Sequence, residues 1–273
     1  MRRLLIRPGG IGDCILSLPA LECLKAEYTE VWAPSPIVPL IRFADRARSI
    51  ASTGLDLLGL PGVEAPSSVL AELRSFDSIC SWYGAKRQDL QDEVRELGLP
   101  FRFFGALPAA GARTHAADFF LREAGCTGRG IPRIPVAADL PVRDFAIIHP
   151  FSGSRRKNWA LDGFREVASR LPIPVEWCAG PAEFLEGAKR FEDLYELACW
   201  LATARLYIGN DSGITHLAAA VGTPVVAIFG PTDPCIWAPR GDHVSVVRGD
   251  LDAISVGQVL SAVLAATGSM SGD

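Results

Sequence analysis

The segment 205–234 constrains the fold of this chain more than any other stretch. It contains two short apolar runs that flank a Gly-rich turn and a helix-like run of small residues, in the order 205–208, 209–213, 214–221 and 225–229. Asp211 or Ser212 can cap the helix. The free N–H groups and positive dipole end at such a helix start suit an anionic ligand, most often a phosphate. The segment therefore predicts a strand–helix–strand unit that either binds a phosphate or is an ordinary, well-capped β-α-β unit.

A second strand, Gly-rich loop and helix are predicted at the start of the chain, over residues 4–26. Loops that bind dinucleotides follow the pattern Gly-x-Gly-x-x-Gly and precede a strand that ends in an acidic residue. Gly10 and Gly12 fit this pattern, but Ile15 occupies the third glycine position, and no acidic residue closes the next strand. The loop therefore argues against a nicotinamide or flavin cofactor.

Short apolar strands alternate with helical stretches along the rest of the chain, which favours open, mostly parallel sheets. In the first half, helices are predicted at 36–47, 67–75, 88–97 and 115–124. Pro, Gly and Arg concentrate at 125–143, a composition that predicts a linker. We therefore expect an α/β chain of two Rossmann-like domains, 1–140 and 141–273. The last helix is a candidate to pack back onto the N-terminal domain.

Composition and charge narrow the class of protein. The chain has 273 residues, of which 49% are hydrophobic and 21% charged, and its net charge is −4. These values are typical of a globular protein and give no electrostatic reason to expect nucleic acid as the main partner. No apolar run approaches the ~18–20 residues needed to cross a bilayer. The apolar run before Arg7 fits a first strand better than a signal peptide. We therefore expect a cytoplasmic protein.

The cysteines indicate the redox compartment. There are seven, at positions 14, 23, 80, 126, 178, 199 and 235, and none forms a Cys-x-x-Cys pair. Several lie in apolar runs, where cysteine behaves as a small buried residue. We expect free thiols in a reducing cytoplasm, and neither a disulfide framework nor a zinc site.

Four stretches carry a resemblance to a known family. They are RPGGIGDCILSLPAL at 7–21, HPFSGSRRKNW at 149–159, CAGPAE at 178–183 and GNDSGITHLAAAVGTPVVAIFGPTDP at 209–234. In this order they resemble glycosyltransferase family 9, the heptosyltransferases of lipopolysaccharide core assembly. The resemblance implies the GT-B fold, in which two Rossmann-like domains face a central cleft. The N-terminal half is shorter than the family's, which leaves the acceptor open, and Phe151 stands where a small residue is common.

The resemblance also implies a reaction. It implies an inverting glycosyltransferase that needs no metal and no cofactor, and whose donor is a nucleotide-diphospho-sugar, with ADP-heptose the first candidate. The acceptor would be a lipopolysaccharide core or another glycan. Asp13 is implied as the general base that takes the proton of the acceptor hydroxyl, with Gly10 and Gly12 in the loop on the acceptor side. From the residues alone, Asp13 can equally be the N-cap of the helix that follows it.

A larger set of residues is assigned to the donor. The leaving diphosphate is expected to meet Ser152, Ser154, Lys157, Ser212, Gly213, Ile214 and His216. The resemblance implies that Glu183 accepts hydrogen bonds from the ribose. Asp211 is expected to cap the helix or to contact the hydroxyls of the donor sugar, because a carboxylate repels a diphosphate. Structural alternatives remain open: Lys157 as a solvated loop residue, His216 as a structural histidine, and Glu183 as a first-turn helix residue.

Two other functions fit the same residues. One is a different GT-B enzyme on nucleotide sugars, an epimerase or a hydrolase, and the other is a non-catalytic nucleotide-binding accessory protein. A lipid-linked acceptor would bring the protein to the inner face of the cytoplasmic membrane. There Arg42, Arg46 and Arg48 would touch anionic lipid, unless they form a solvated helix face.

Overall fold

The computed structural model describes residues 1–60, 62–109 and 111–268. The chain divides into two compact units, Met1–Ala112 with Ala116–Gly130, and Arg113–His115 with Ile131–Asp273. The expected domains, 1–140 and 141–273, stay a prediction, and the second extends past the last described residue.

The first unit is a five-stranded parallel sheet connected by helices, with the strand order β3-β2-β1-β4-β5. Its strands are β1 (Arg2–Ile6), β2 (Tyr28–Ala33), β3 (Arg46–Ser49), β4 (Ser78–Ser81) and β5 (Phe101–Phe103), and its helices are α1 (Ile11–Cys23), α2 (Ser67–Arg74), α3 (Gln88–Glu96) and α4 (Ala116–Glu123). Leu4, Leu5 and Ile6 of the central strand are all fully buried. Because successive side chains of a strand point to opposite faces, both faces of this sheet are covered.

The second unit has the same architecture with the strand order β10-β9-β8-β6-β7, again parallel throughout. Its strands are β6 (Arg143–His149), β7 (Val175–Trp177), β8 (Ala204–Asn210), β9 (Val225–Phe229) and β10 (Val244–Arg248), and its helices are α5 (Leu161–Arg170), α6 (Leu194–Ala202), α7 (Gly213–Ala220), α8 (Pro234–Trp237) and α9 (Val256–Gly268). Helix α9 packs against α5 and the β9–β10 edge of this unit. That it also packs on the first unit stays a prediction.

Each sheet has one point at which the strand order reverses. In the first sheet this point lies between β1 and β4, and in the second it lies between β6 and β8. In open parallel sheets, ligands bind outside the carboxyl ends of the strands at such a reversal. The loops that begin at Arg7, Pro150 and Asp211 leave the sheets at these positions. The topology therefore places the predicted site loops where this fold binds ligands.

The helix expected at 36–47 is wrong. Ser35–Leu40 forms a 3₁₀ helix instead, and Arg46–Ser49 forms the edge strand β3. Pro39 lies inside the 3₁₀ helix and has no N–H to donate, so it cannot continue an α-helix there. The apolar residues of this stretch gave a helical spacing that the prolines overrode.

Arg46 and Arg48 therefore lie in a strand and not on the solvated helix face that was one expectation. Arg48 Nε lies 3.0 Å from Glu30 Oε1, and Arg46 Nη1 lies 3.8 Å from Glu30 Oε2. Glu30 is buried and also accepts a hydrogen bond from Trp32 Nε1 at 2.9 Å. These two arginines neutralise a buried carboxylate, which is a structural role.

The expectation that all seven cysteines are free thiols is also wrong. Cys23 and Cys126 form a disulfide whose Cα atoms are 6.7 Å apart, across a sequence separation of 103 residues. Cys23 is the last residue of α1, and Cys126 follows α4, which packs against α1. The packing of the two helices brings their C-terminal ends together, and no local pattern in the sequence shows this.

Candidate active site

Asp13 lies in the first turn of α1, at the reversal point of the first sheet. The helix begins at Ile11 with Gly10 as its N-cap, so Asp13 is the third residue of the helix and not its cap, as one expectation had it. Its Oδ2 accepts a hydrogen bond from the Gly10 N–H at 3.2 Å. Gly9 precedes this turn with φ 125°, a conformation that side-chain-bearing residues rarely adopt. The turn therefore presents a half-buried carboxylate beside the N-terminal end of a helix.

Arg7 supports this turn, and the sequence reasoning assigned it no role. Its guanidinium donates to Ser17 Oγ at 2.9 Å, the Pro8 carbonyl at 3.0 Å and the Asp13 carbonyl at 3.1 Å. The side chain is only 2% exposed, and Phe120 stacks under it with its ring centroid 4.6 Å from Cζ. Burial lowers the pKa of Arg7, while the nearby Cys14 and Asp13 oppose that shift. The Arg7 guanidinium thus binds both ends of the loop that leads to Asp13.

In the second unit, Lys157 and Asp211 meet at the reversal point between β6 and β8. Lys157 Nζ lies 2.8 Å from Asp211 Oδ2. The lysine side chain is 35% exposed and the aspartate 6%. The ammonium group is therefore held at the surface by a nearly buried carboxylate, with its outer side open to solvent.

Asn210 joins the two loops that carry this pair. Its Nδ2 donates to the Pro150 carbonyl at 2.8 Å, and its Oδ1 accepts from the Trp159 N–H at 3.0 Å. The side chain is fully buried. Asn210 therefore fixes both ends of the loop that contains Lys157. The sequence reasoning missed it because an asparagine beside a glycine is also ordinary turn composition.

Ser152 shapes the same loop from within. Its Oγ donates to the Ser154 carbonyl at 2.7 Å or to Asn158 Oδ1 at 2.8 Å, and it lies 3.4 Å from the Ser154 N–H. These bonds support the turn Arg155–Lys157, from which the lysine reaches Asp211. In this arrangement the Ser152 hydroxyl organises the loop, and its part in binding a diphosphate stays a prediction, as does that of Ser154.

The start of α7 faces the same region. Ser212 is the N-cap, and its Oγ accepts from the Thr215 N–H at 3.4 Å, so the alternative that Asp211 caps this helix is wrong. The His216 N–H is bonded to the Ser212 carbonyl. The first amides of a helix have no acceptor within it, which leaves the N–H groups of Gly213 and Ile214 without an acceptor among the described residues. This is the geometry in which helix starts hold anions.

His216 lies one turn into α7 and is buried. Burial lowers its pKa to about 4; Asp211 opposes this shift, while His115 and Lys157 add to it. The imidazole is therefore neutral at pH 7. Its Nδ1 is buried and has no hydrogen-bond partner among the residues that the structure describes. The side chain lies near enough to Lys157 and Asp211 to feel their charges, and its contact with a phosphate stays a prediction.

Glu183 lies in the turn after β7 and not in the first turn of a helix, as one alternative had it. Its Oε2 accepts from the Gly180 N–H at 2.6 Å and lies 3.1 Å from His149 Nε2. Burial raises the pKa of the Glu183 carboxyl, but the hydrogen bonds from His149 and Gly180, with the charge of Arg190, outweigh burial and hold the pKa below its usual value. The carboxylate is thus charged at neutral pH.

The second unit therefore collects most of the predicted donor residues around the loop 149–159. His149 at the start of this loop binds Glu183, while its neighbour Pro150 binds Asn210, which is next to Asp211. Within the described residues, no group of three or more His, Cys, Asp or Glu side chains suits a metal ion. No helix in the described ranges is long and apolar enough to span a bilayer.

A known protein family matches part of the second unit. Residues 192–258 match the family model of glycosyltransferase family 9 (heptosyltransferase). The lipooligosaccharide heptosyltransferase 2 of Haemophilus influenzae is 38% identical over 84 residues, which cover 30% of this chain and 22% of that protein. Lipopolysaccharide heptosyltransferase 1 of Escherichia coli K12 is 30% identical over 109 residues, or 34% of each chain. The matched stretches thus span about a third or less of these curated relatives.

The fold comparison covers more of the chain. The structure of E. coli ADP-heptose LPS heptosyltransferase II superposes with a TM-score of 0.75 at 17% identity, covering 99% of both chains. A glycosyltransferase family 9 structure from Veillonella parvula also gives 0.75, at 18% identity over 98% of this chain and 97% of that one. At this identity the likeness shows the fold, which is GT-B. The predicted fold class is confirmed.

Proposed function

We propose that the chain is an inverting glycosyltransferase of family 9 that works without a metal, and the match of residues 192–258 to the model of that family supports this proposal. Its donor is a nucleotide-diphospho-sugar, for which we propose ADP-heptose, and its acceptor is a lipopolysaccharide core. The donor is suggested by the ADP-heptose enzyme of E. coli that shares the fold. The observation that carries the proposal is the ion pair of Lys157 with Asp211, the residue before the N-cap of α7, at the reversal point of the second sheet.

The diphosphate is bound by one positive charge and by the dipoles of two backbone N–H groups. The Lys157 ammonium supplies the charge, and the N–H groups of Gly213 and Ile214 supply the dipoles. Both are in place before the ligand arrives, because Asp211 holds Lys157 and Ser212 caps α7. Preorganised donors of this kind stabilise the negative charge that develops on a leaving diphosphate. Neutral His216 then serves as a hydrogen-bond partner that brings no charge.

Asp211 has a different task in this proposal from the helix cap expected earlier. Its carboxylate would repel a diphosphate if it stood alone, but its charge is compensated by Lys157 at 2.8 Å. It orients the ammonium group and keeps the ability to accept a hydrogen bond from a sugar hydroxyl. Glu183, on the other side of the same loop, accepts from the ribose.

Asp13 is proposed as the base. Its carboxylate takes the proton of the acceptor hydroxyl, the oxygen attacks the anomeric carbon, and the bond to the diphosphate breaks from the opposite face. One displacement inverts the anomeric configuration. The Gly10 N–H binds the Asp13 carboxylate at the start of α1 and orients it for this role.

We propose that the protein contacts the membrane through its acceptor. A lipid-linked core would bring the enzyme to the inner face of the cytoplasmic membrane. Arg46 and Arg48 are occupied by Glu30, so they are poor candidates for a lipid-binding patch. Flotation of the protein with anionic vesicles, with and without acceptor lipid, measures this: binding only with the acceptor supports the proposal, and equal binding to both contradicts it.

The donor is tested by a thermal-shift screen of ADP, UDP, GDP and CDP against inorganic pyrophosphate. A ligand that binds only the folded state raises the melting temperature with its concentration. ADP is expected to give the largest shift, and pyrophosphate a smaller one because it lacks the ribose that Glu183 binds. A larger shift with UDP or GDP would reject ADP as the donor nucleotide. With ADP-heptose alone, release of free sugar would indicate a hydrolase.

A further inference from the structure

The Glu183 carboxylate is held through only one of its oxygens. The Gly180 N–H and His149 Nε2 both bind Oε2, at 2.6 and 3.1 Å. The other oxygen, Oε1, has no hydrogen-bond donor among the described residues. The side chain is 26% exposed and lines a cavity of about 740 Å³ together with Phe184 and Arg190. One oxygen is thus saturated by the protein, and the other is available to a ligand.

The surroundings of His149 fix which of its nitrogens carries the proton. Because Glu183 is a charged carboxylate, it only accepts hydrogen bonds, so Nε2 must be the donor. Nδ1 is buried and has no partner within the part of the chain that the structure describes. A buried N–H without an acceptor is costly, so Nδ1 is the unprotonated nitrogen. His149 therefore donates from Nε2 to Glu183 Oε2.

His149 belongs to a strand of the sheet, whereas Glu183 does not. It is the last residue of β6, is 3% exposed, and packs edge-on against Phe151 with ring centroids 6.2 Å apart. Glu183 lies in a turn outside any helix or strand, in the connection between β7 and α6. The carboxylate is therefore oriented by a side chain that belongs to the sheet.

We propose that His149 is a positioning residue that holds Glu183 with Oε1 turned outwards, ready to accept hydrogen bonds from a vicinal diol such as the ribose of a nucleotide. This inference rests on the proposed function, because it takes the ligand to be a ribonucleotide. His149 itself does not touch the ligand. It acts by binding Oε2, which stops the carboxylate from rotating and keeps Oε1 directed towards the ligand.

The test is a comparison of ADP with 2′,3′-dideoxy-ADP by calorimetry, on the full chain and three variants. His149→Phe keeps a flat ring and removes the donor. His149→Gln places an amide nitrogen near the position of Nε2, and His149→Asn places one near Nδ1, where it cannot reach Glu183. The Phe and Asn variants are expected to bind ADP about 10-fold more weakly. All variants are expected to bind dideoxy-ADP as the unchanged protein does, and the Gln variant to recover most of the ADP affinity.

Two results in the single His149 variants would overturn the inference. One is an unchanged ADP affinity in His149→Phe, and the other is an equal loss for ADP and dideoxy-ADP, which indicates general damage to the loop. In a Glu183→Ala background, His149→Phe is expected to have no further effect, and an additional loss there would also count against it. If the unchanged protein binds no ribonucleotide, both the proposed function and the claim that Glu183 binds a ribose are rejected. The ¹⁵N shifts of the His149 ring then still test its core, since an Nε2 without a proton at pH 7 rejects the positioning role.

Discussion

Lys157 and Asp211 bind each other, and this changes what a substitution of either residue measures. Asp211 is almost buried and Lys157 is partly exposed, so removal of the lysine leaves a poorly solvated carboxylate without its partner. A loss of nucleotide affinity in Lys157→Ala therefore combines two effects. One is the lost charge at the diphosphate, and the other is the repulsion by the uncompensated Asp211.

The two effects are separated by a pair of variants. Lys157→Ala is expected to weaken ADP binding at least 10-fold and to lower the free energy of unfolding by about 1–3 kcal/mol. Lys157→Ala combined with Asp211→Asn is expected to regain the stability, because no buried charge is left unpaired. It should regain only part of the affinity. Calorimetry and urea unfolding measure the two quantities, and an unchanged ADP affinity in the single variant would remove Lys157 from the phosphate site.

Protonation of His216 makes the free energy of unfolding depend on pH in the acid range. Its pKa is about 4 in the folded protein and 6.5 when exposed, chiefly because of burial. Between these values the unfolded chain binds the proton more readily, so stability is complete above pH 6.5 and is lost as the pH falls towards 4. The slope contributed by this one group reaches about 1.4 kcal/mol per pH unit. Urea unfolding from pH 7 to 4.5 is expected to show a shallower loss in His216→Gln, and parallel curves would contradict the burial argument.

At the scale of elements, α1 and α7 begin in different ways, and their starts suit different tasks. The start of α1 carries Asp13, whose carboxylate accepts from the Gly10 N–H. The start of α7 carries a serine cap and keeps the N–H groups of Gly213 and Ile214 open. The first start presents a negative group and the second accepts one, which matches a base and a leaving group.

The disulfide between α1 and α4 is an element-scale feature with a direct test. Cys23 and Cys126 close a loop of about a hundred residues, and cross-links of this kind typically contribute ~2–4 kcal/mol. Cys23→Ser is expected to lower the free energy of unfolding by that amount, and a reducing agent should do the same to the unchanged chain. Cys199→Ser is the matched control and should change little. Thiol titration in denaturant without reductant is expected to find five of the seven cysteines free, and seven would contradict the disulfide.

At the scale of the whole molecule, the sequence predicted the features that are local. The segment 205–234 shows its strand, turn, helix and strand in consecutive residues, and the structure has them as β8, α7 and β9. Residues whose role depends on distant partners were missed. Arg7 looks like the end of a strand, Asn210 like a turn residue, and His149 like one more polar residue after an apolar run. Apart from Pro8, which follows Arg7 directly, their partners lie 6 to 60 residues away in the chain, and only the fold brings them together.

The same reason explains the errors. The stretch 36–47 has the apolar spacing of a helix, but its prolines and its pairing with β2 decide its conformation. The disulfide depends on the packing of two helices about a hundred residues apart. The four-part resemblance could be recognised because each part is a contiguous motif. The roles it implies for Asp13, Lys157 and Glu183 stay predictions.

The central claim, glycosyl transfer with Asp13 as the base, is tested most directly by the rate of sugar transfer in the unchanged protein and in Asp13→Asn. Asparagine keeps an oxygen that can accept from the Gly10 N–H, so the turn should survive while the base is lost. Asp162→Asn, at an exposed position in the first turn of α5, is the control. With ADP-heptose and a lipopolysaccharide-core acceptor followed by mass spectrometry, the unchanged protein and the control are expected to transfer heptose. Asp13→Asn should bind ADP equally well and turn over at least ~10²-fold more slowly. Equal turnover in Asp13→Asn, or no transfer by a protein that binds both substrates, would contradict the claim.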